Sequence, residues 1–367
     1  MSNKNLKVLH SAALLSPPSG ILMQMKSEQE IASKLGLNWE VKMYMPNNND
    51  QTAISHLDPS IKNSDLKTPI KKINAWFKLR KNYHDWLLGQ QQHVDVFLLR
   101  YYVHDPFQLM FLKKCKKPVY LIHHTLEEPE LKLAGGVSGF IRSGLEKLIG
   151  KQSIALSKGI VGVTQEIINY EKSRISFNKA SYIYPNGIVY KSLDLIDKRN
   201  LNIPELLFVA NFAPWHGLDL ILNQLVKNKD NFILHLVGEV PENLMPLTFD
   251  PRVVVHGKLT SNEISTLSSR CWVGLACFSL QLKKMYEACP LKVREYLMLG
   301  LPVYGDYIDI FPKDVPYFRQ GSSDINQILV FAFESRNFSK QSIAYMAKDL
   351  INKENILEDF YSWLEKN

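Results

Sequence analysis

The stretch Glu287-Ala-Cys-Pro-Leu-Lys-Val-Arg-Glu-Tyr-Leu-Met-Leu-Gly-Leu-Pro-Val303 decides the fold of this chain. It predicts a helix of about three turns, because Pro290 suits the first helical position, where no backbone N–H is needed. At the other end Gly300 provides a left-handed cap, and Pro302 prevents the helix from continuing. Val303 then begins a buried strand.

The charged residues of this stretch indicate a phosphate and sugar site. Lys292 and Glu295 are three residues apart and share a face of the helix. A helix N-terminus attracts phosphate, and a lysine in the first turn adds a full charge there. The geometry suits a nucleoside diphosphate sugar, with Lys292 at the phosphates, Glu295 at the ribose and Glu287 at the transferred sugar. The alternative is a surface helix with an ion pair worth about 0.2–0.5 kcal/mol.

Two glutamates separated by seven residues, the second in Glu-Tyr-Leu-x-x-Gly-x-Pro-Val, resemble the donor motif of retaining GT-B glycosyltransferases, especially family four. The resemblance implies an α/β fold of two doubly wound Rossmann-like domains facing across a cleft. It implies that the first glutamate contacts the donor sugar and the second the ribose. It also implies a front-face displacement assisted by the leaving phosphate, since no carboxylate is placed as an obvious nucleophile.

The same resemblance implies a domain order. We expect an N-terminal, acceptor-side domain over residues 1–190, a linker over 191–204 and a donor domain over 205–350. The last helix, 351–367, is expected to return to the first domain. A chain of 367 residues is long enough for two cores, and 46% apolar with 22% charged residues is typical of a globular protein.

Composition also limits where the protein works. The four cysteines, Cys115, Cys271, Cys277 and Cys289, lack metal-ligand or redox spacing and are expected to be reduced core thiols of a cytoplasmic protein. The N-terminus lacks a signal-peptide core, and no run reaches the roughly 18 apolar residues of a membrane span.

The charge is unevenly distributed. Residues 1–190 contain 25 Lys and Arg against 15 Asp and Glu, so with +8 overall the remainder carries −2. A basic half suggests an anionic partner. Lys67–Leu88 interleaves aromatic residues with Lys71, Lys72, Lys78, Arg80 and Lys81. This pattern suits a helix on the anionic inner face of the cell membrane. The alternative is a domain helix with a solvated basic face. Nucleic acid is not expected, since no binding module is present.

The opening of the chain predicts a doubly wound domain, because a strand, a turn, a helix and a second strand follow one another over Lys7–Leu15, Ser16–Gly20, Ile21–Leu35 and Trp39–Met45. One glycine in such a loop is more often just a turn. In the resembling family this loop lies against the donor diphosphate. The resemblance therefore assigns Ser19 and Gly20 to donor binding.

Polar residues follow two further predicted strands. Arg100 and His104 come after the strand Val94–Leu99, and His123 and His124 come at and after the end of Pro118–Ile122. Residues at such strand ends line the ligand cleft. A histidine pair is by itself usually not catalytic. The family often carries His-Thr or His-Asp in this loop, near the sugar and the acceptor. The resemblance therefore assigns a catalytic role to His124, with His123 as the alternative match. Arg100, His104 and His123 are expected on the acceptor side.

The second half begins another strand–loop–helix unit, with the loop Asn211-Phe-Ala-Pro-Trp-His-Gly217. The resembling enzymes normally place an arginine and a lysine on the diphosphate here, whereas this chain has Asn211 and His216. Lys292 then becomes the main positive charge, and His216 contributes if protonated or through one neutral hydrogen bond. The residues that the resemblance assigns to donor binding here are Asn211, His216, Gly217, Gly238, Leu291 and Glu295.

We therefore expect a hexosyltransferase that uses a nucleoside diphosphate sugar and a glycan or lipid-linked acceptor in cell-surface polysaccharide biosynthesis. No cofactor or metal is expected, because GT-B enzymes typically need none and no Asp-x-Asp motif is present. One alternative is a GT-B nucleotide-sugar 2-epimerase. Another is a non-catalytic, membrane-docked partner that has lost phosphate contacts at Asn211 and His216. The motif specifies neither the base nor the oligomeric state.

Overall fold

Two parallel β-sheets organise the chain in the computed structural model, which describes residues 5–47, 52–133, 135–200 and 202–367. The chain divides into two compact units. The first consists of Met1–Pro185 with Lys353–Asn367, and the second of Asn186–Asn352. Each unit is a parallel sheet with helical crossovers, which confirms the predicted α/β class with two doubly wound domains.

In the described part of the first unit, seven strands form one sheet in the order β3-β2-β1-β4-β5-β6-β7. The strands are β1 (Val8–Ala13), β2 (Trp39–Pro46), β3 (Ser55–Asp58), β4 (Val96–Arg100), β5 (Val119–His123), β6 (Gly159–Gly162) and β7 (Ala180–Ile183). The helices are α1 (Ser19–Lys34), α2 (Pro69–Gln90), α3 (Pro106–Lys114), α4 (Glu127–Leu133), α5 (Gly136–Leu156) and α6 (Gln165–Ser173). The order of strands reverses between β1 and β4, and ligands of such sheets bind at the carboxyl ends near that point.

The described residues of the second unit form a sheet of six strands in the order β10-β9-β8-β11-β12-β13. These are β8 (Glu205–Val209), β9 (Ile233–Val237), β10 (Val253–Gly257), β11 (Val273–Leu275), β12 (Val303–Gly305) and β13 (Phe318–Gln320). The helices are α7 (Leu218–Leu225), α8 (Ser261–Ser268), α9 (Leu291–Met298), α10 (Ile325–Ser335) and α11 (Lys340–Ile351). Its strand order reverses between β8 and β11.

A last helix, α12 (Lys353–Lys366), belongs to the first unit. Its first residue, Lys353, places its ammonium 3.0 Å from Glu28 of α1. His10, Trp39 and Tyr184 also donate hydrogen bonds to the buried Glu28 carboxylate. Although burial opposes ionisation, these partners hold the pKa of Glu28 well below its usual range. The buried carboxylate of Glu28 therefore connects α12 to α1, to strands β1 and β2, and to Tyr184.

The segment predicted as a linker, 191–204, is part of the second unit. The Lys198 N–H donates to the Ser269 carbonyl over 3.0 Å, and Arg199 donates to the Phe338 carbonyl over 3.0 Å. These contacts require neighbours far along the chain, so the polar composition of the segment did not reveal them. The boundary between the units lies after Pro185 rather than after residue 190.

Two local predictions for the first unit are wrong in detail. Helix α1 begins at Ser19, so Ser19 and Gly20 form its first turn instead of ending a loop. Residues 46–66, predicted as a loop, contain β3, which pairs in parallel with β2 at the edge of the sheet. Residues 48–51 of that prediction lie outside the described residues.

Helix α2 has a different distribution of charge from the one predicted. Arg80 is buried and forms a 2.5 Å ion pair with Asp105, the N-cap residue of α3. Its guanidinium also stacks 4.6 Å from the centre of the Tyr102 ring. Arg80 is thus a structural residue, while Lys71, Lys72, Lys78 and Lys81 are exposed. Of the described helices, none has the length and apolar content to cross a membrane.

Helix α9 is held at both ends and along its buried face. Pro290 is its N-cap instead of its first helical residue, and Gly300 ends it with a φ of 67°, as predicted. A Cβ atom at position 300 would lie 2.3 Å from the Lys340 carbonyl oxygen. Glycine is therefore required there for two reasons, the positive φ and this close contact. The buried Arg294 forms a bidentate ion pair with Asp309. The helix is therefore fixed in the second unit by contacts from outside the motif.

Candidate active site

A pocket of about 420 Å³ lies at the carboxyl ends of the neighbouring strands β8, β9 and β10 in the second unit. Asn211 and His216 reach it from the loop after β8, Gly238 from the end of β9, and Lys292 from the first turn of α9. The structure therefore brings four of the sequence-predicted site residues to one cavity, three assigned to donor binding and one, Lys292, to catalysis.

Lys292 is the electrostatic centre of this pocket. Its Nζ atom is buried and has no hydrogen-bond partner in the part of the chain that the structure describes. It lies 5.1 Å from the centre of the Phe208 ring, a weak cation–π contact. Desolvation lowers its pKa. An ammonium without a counter-charge in such a site is costly, and an anionic ligand in the pocket would neutralise it.

His216 presents a neutral hydrogen-bond donor at the same pocket. Its Nδ1 accepts the Ala213 backbone N–H over 3.0 Å, so the ring proton of the neutral form resides on Nε2. Burial and then the neighbouring Lys292 charge lower its pKa to about 3. Of the two roles left open by the sequence, the structure favours one neutral hydrogen bond over a second positive charge.

The backbone around the pocket is fixed by close packing. Gly238 has a φ of 123°, and a side chain there would lie 1.9 Å from the Ala210 carbonyl oxygen. On the other side, the Tyr296 hydroxyl of α9 accepts the Val209 N–H over 2.8 Å. The motif tyrosine therefore holds the end of β8 where the Asn211–Gly217 loop begins. Gly217 is buried and caps α7.

The remaining motif residues lie outside the walls of this pocket. Glu295 is exposed on α9, and desolvation by surrounding protein raises its pKa. Glu287 is partly buried and forms a parallel bridge with Ile308. Leu291, the first residue of α9, is partly buried and does not line the cavity. Their assigned contacts with the ribose, the transferred sugar and the donor remain predictions.

The sequence prediction missed a charged residue of the pocket, Lys258. Lys258 lines the cavity immediately after β10, and its ammonium pairs with Glu239 at 2.6 Å. Both side chains are largely exposed, so this pair contributes little to stability. The available signal was its position directly after a predicted strand, where ligand-binding residues of such sheets are found.

In the first unit, Arg100 and His124 contact each other directly. Arg100 donates from Nη1 to His124 Nε2 over 2.8 Å, which leaves the proton of the neutral imidazole on Nδ1. Desolvation, and then the Arg100 charge, hold the pKa of His124 well below its usual range. Desolvation also lowers the pKa of Arg100 to about 10. His124 is therefore a neutral hydrogen-bonding group at the end of β5.

His123 does not fit the acceptor-side role assigned to it. It is fully buried, stacks on Tyr101 with ring centres 4.4 Å apart, and contacts Glu127 over 3.0 Å. Because successive residues of a strand point to opposite faces, the pair His123-His124 divides between core and site. We therefore correct this prediction and assign His123 to the core.

Three other predicted residues belong to the first unit. Ser19 is exposed and Gly20 partly buried in the first turn of α1, and their assigned donor contact remains a prediction. His104 has a φ of 43° and its backbone N–H donates to the buried Glu146 over 2.5 Å. His104 also lines a second cavity, an apolar one.

Among the described residues, two buried clusters have the residue types of metal ligands. In each, the ligand atoms lie within 4.8 Å of one another; the clusters are His123, Glu127 and Glu171, and Glu205, His235 and Cys271. Arg174 pairs with Glu171 over 2.8 Å, and Arg270 pairs with Glu205 over 2.8 Å. In each cluster one of the carboxylates thus already has an arginine partner, and we assign no metal to either.

Two doubly wound parallel sheets, the second with a pocket at its strand ends and a lysine-bearing helix above it, define the GT-B fold predicted from the motif. The solved structures of glycosyltransferases confirm this fold. The apo form of the lipopolysaccharide outer core galactosyltransferase WaaB has a TM-score of 0.67 at 11% identity, covering 98% of this chain and 99% of that one. Sucrose-phosphate synthase from Thermosynechococcus elongatus has 0.66 at 13% identity, covering 98% and 99%.

A third similar structure contains a nucleotide sugar. HepE from Anabaena, in complex with UDP-glucose, has a TM-score of 0.64 at 11% identity and covers 99% of this chain and 100% of that one. Neither the protein-family models nor the curated protein sequences give a match. At these identities the likeness establishes the fold over nearly the whole chain.

Proposed function

We propose that this protein transfers a sugar from a nucleoside diphosphate sugar to an acceptor. The observation that carries the proposal is the buried ammonium of Lys292, without a hydrogen-bond partner among the described residues, in the pocket at the carboxyl ends of β8, β9 and β10. A diphosphate supplies the missing counter-charge, and the N–H groups of the first turn of α9 add donors. HepE and a second similar protein, TarM from S. aureus, have been solved with UDP bound.

The proposed chemistry is retaining and places the developing charge on the leaving diphosphate. Lys292 and the Nε2–H of neutral His216 stabilise that charge as the glycosidic bond breaks. Glu287 contacts the transferred sugar and Glu295 the ribose. The positive charge comes from the protein in this proposal, so turnover is expected to persist in the presence of a chelator. Comparing turnover with and without EDTA tests that point.

The proposed acceptor is a glycan or lipid-linked precursor of a cell-surface polysaccharide, reached from the membrane surface. Large apolar side chains are exposed on α2 and α5, with Ile70 75%, Val137 78% and Phe140 76% accessible. On α2, the exposed Lys71 and Lys72 follow Ile70 directly. An apolar face with basic neighbours favours reversible docking to anionic lipid.

The first experiment is a screen of UDP-, GDP- and ADP-sugars by thermal shift, followed by product analysis with and without acceptor. A donor that raises the melting temperature and yields a glycoside with the donor's anomeric configuration supports the proposal. A new nucleotide sugar formed without acceptor would instead identify the 2-epimerase alternative. Failure of every nucleotide sugar to bind would favour a non-catalytic partner.

A further inference from the structure

A second cavity, of about 630 Å³, lies at the carboxyl ends of β1 and β4 in the first unit, where the strand order reverses. Aromatic and aliphatic side chains form almost all of its lining, chiefly Ile73, Trp76, Phe77, Tyr102, Leu145 and Ile149. We call this cavity the apolar groove. Its volume falls within the roughly 300–1,000 Å³ of small-molecule sites. A lining with so few polar groups offers little to a sugar or a nucleotide base and suits a hydrocarbon chain.

The polar side chains of the apolar groove are cationic or neutral. Lys72 from α2 and Arg142 from α5 are exposed on its edge, and His104 lies between β4 and α3. Arg142 donates from Nε to His104 Nε2 over 3.0 Å, which leaves its terminal amino groups available. Within the described residues, the Lys72 ammonium has no ion-pair partner.

The acidic residues next to this edge already have arginine partners. Asp105 is paired with Arg80 at 2.5 Å, and Glu146 is paired with Arg174 at 2.6 Å. Among the described residues, neither Lys72 nor Arg142 has an ion-pair partner, and their side chains line an apolar cavity. The structure thus combines a site for a hydrocarbon chain with a site for an anionic head group.

We propose that the apolar groove binds the hydrocarbon chain of a lipid acceptor and that Lys72 and Arg142 bind a phosphate at its head. This inference rests on the proposed function, since it names the acceptor class. The connection to the catalytic site is direct along the chain. Arg100, which bonds His124, begins the segment that carries Tyr102 and His104 into the groove. A lipid phosphate bound by Lys72 and Arg142 would therefore lie in the same cavity as His104, which is one of the predicted acceptor-side residues.

A single-chain prenyl phosphate tests this assignment. We would measure binding of monomeric farnesyl phosphate, farnesol and inorganic phosphate to the full chain by calorimetry. The charged head should make farnesyl phosphate bind about tenfold or more tightly than farnesol, the effect of one charge-assisted contact. Inorganic phosphate alone should bind much more weakly than farnesyl phosphate. Equal affinity for farnesol and farnesyl phosphate, or no binding of either, overturns the proposal.

Two matched pairs of variants locate the bound chain and head. Leu145→Trp fills the groove, whereas Leu148→Trp adds the same ring to an exposed position one turn away on α5 that does not line it. Only Leu145→Trp should lower the affinity for farnesyl phosphate, by about tenfold or more. Lys72→Gln should weaken the binding of farnesyl phosphate but not that of farnesol. Lys71 is the adjacent residue and is also exposed, and Lys71→Gln should change the binding of neither compound. Equal effects within either pair would indicate general adsorption and overturn the groove as the site.

One control measurement, binding of the nucleotide sugar, separates this inference from the proposed function. Binding of the nucleotide sugar is measured on the same variants, because Leu145 and Lys72 lie in the other unit from the pocket of Lys292. Donor binding without prenyl phosphate binding overturns the groove and leaves the transferase standing. If prenyl phosphate binds but no nucleotide sugar does, the proposed transferase function is wrong and the groove remains a lipid-binding site. An unchanged unfolding transition in circular dichroism shows that the first unit of each variant is folded.

Discussion

The ammonium of Lys292 lies 5.1 Å from the centre of the Phe208 ring and, among the described residues, has no hydrogen-bond partner. Phe208 belongs to the core of the second unit, so the charge is held against an apolar surface at the wall of a pocket. Such an arrangement favours the bound anion over water, because the low local dielectric strengthens the attraction to a developing diphosphate charge. It makes Lys292 the most direct test of the site.

Lys292→Ala is expected to lower kcat by more than it lowers the affinity for the free nucleoside. The lost interaction is a charge-assisted one that is strongest as the diphosphate departs, with a cost of about 1.5–3 kcal/mol or more in the transition state. Steady-state kinetics and calorimetry with nucleoside and nucleoside diphosphate measure the two effects. Lys258→Ala, at an exposed lysine of the same pocket, should have a much smaller effect. Equal loss of affinity for nucleoside and nucleoside diphosphate would count against the phosphate role.

Glu295→Ala is expected to weaken nucleoside diphosphate binding by about 1–3 kcal/mol, since a carboxylate that accepts from the ribose hydroxyls is removed. Glu287→Gln is the matched control. It should leave affinity for the free nucleoside diphosphate unchanged and reduce turnover, because Glu287 is assigned to the transferred sugar. Calorimetry on both variants decides between the roles, and an unchanged affinity in Glu295→Ala would rule out the ribose contact.

Tyr296→Phe is expected to destabilise the second unit by about 1–3 kcal/mol, because the Val209 N–H loses its 2.8 Å acceptor in a partly buried position. The hydroxyl also lies 3.4 Å from the Leu207 carbonyl, so the end of β8 loses two contacts. Urea unfolding measures the change in free energy. Tyr345→Phe, at a side chain that is 74% exposed, is the control and should be neutral. A neutral Tyr296→Phe would show that the ring alone positions the strand.

Glu127→Gln is expected to stabilise the protein at pH 8 and to have little effect near pH 4. Burial, together with the nearby Glu146, raises the pKa of Glu127 to about 7, from an ordinary value of 4.5. The folded state therefore binds a proton that the unfolded state releases between these values, so stability falls as pH rises from about 4.5 to 7. The loss above pH 7 is about 3 kcal/mol, at 1.36 kcal/mol per pH unit. Urea titrations at several pH values test this, and an equal effect of the substitution at pH 4 and pH 8 would refute it.

Replacement of both Lys71 and Lys81 by glutamate is expected to release the protein from anionic vesicles without changing donor affinity. Both lysines are exposed on α2, and each basic residue near an anionic leaflet contributes about 1 kcal/mol, screened within a Debye length. Flotation with vesicles of phosphatidylglycerol and phosphatidylcholine at low and high salt measures docking. If the wild-type protein stays unbound at low salt, docking is wrong and the basic face is only a solvated surface.

The apolar groove shows why one part of the site could not be predicted from sequence. Its walls come from α2, from the segment after β4 and from α5, which are brought together only by folding. The sequence pattern marked the basic and aromatic residues of α2, but the surface facing them on α5 follows no motif. Lys72 and Arg142 are 70 positions apart in the numbering and were not linked by any local pattern.

Local pattern alone determined the motif helix, its glycine end, the following strand and the succession of parallel strand–loop–helix units, because caps and hydrophobic periodicity act over a few neighbouring residues. Tertiary structure decided which charges are buried and what they meet. The sequence pattern places Arg80 on a basic face, whereas in the structure Arg80 is paired with Asp105. The pattern likewise indicates His123 as a site residue, whereas in the structure it packs against Tyr101 and Glu127. Burial and pairing depend on partners distant in the sequence, since desolvation of a charge is offset only by whichever group the fold places beside it.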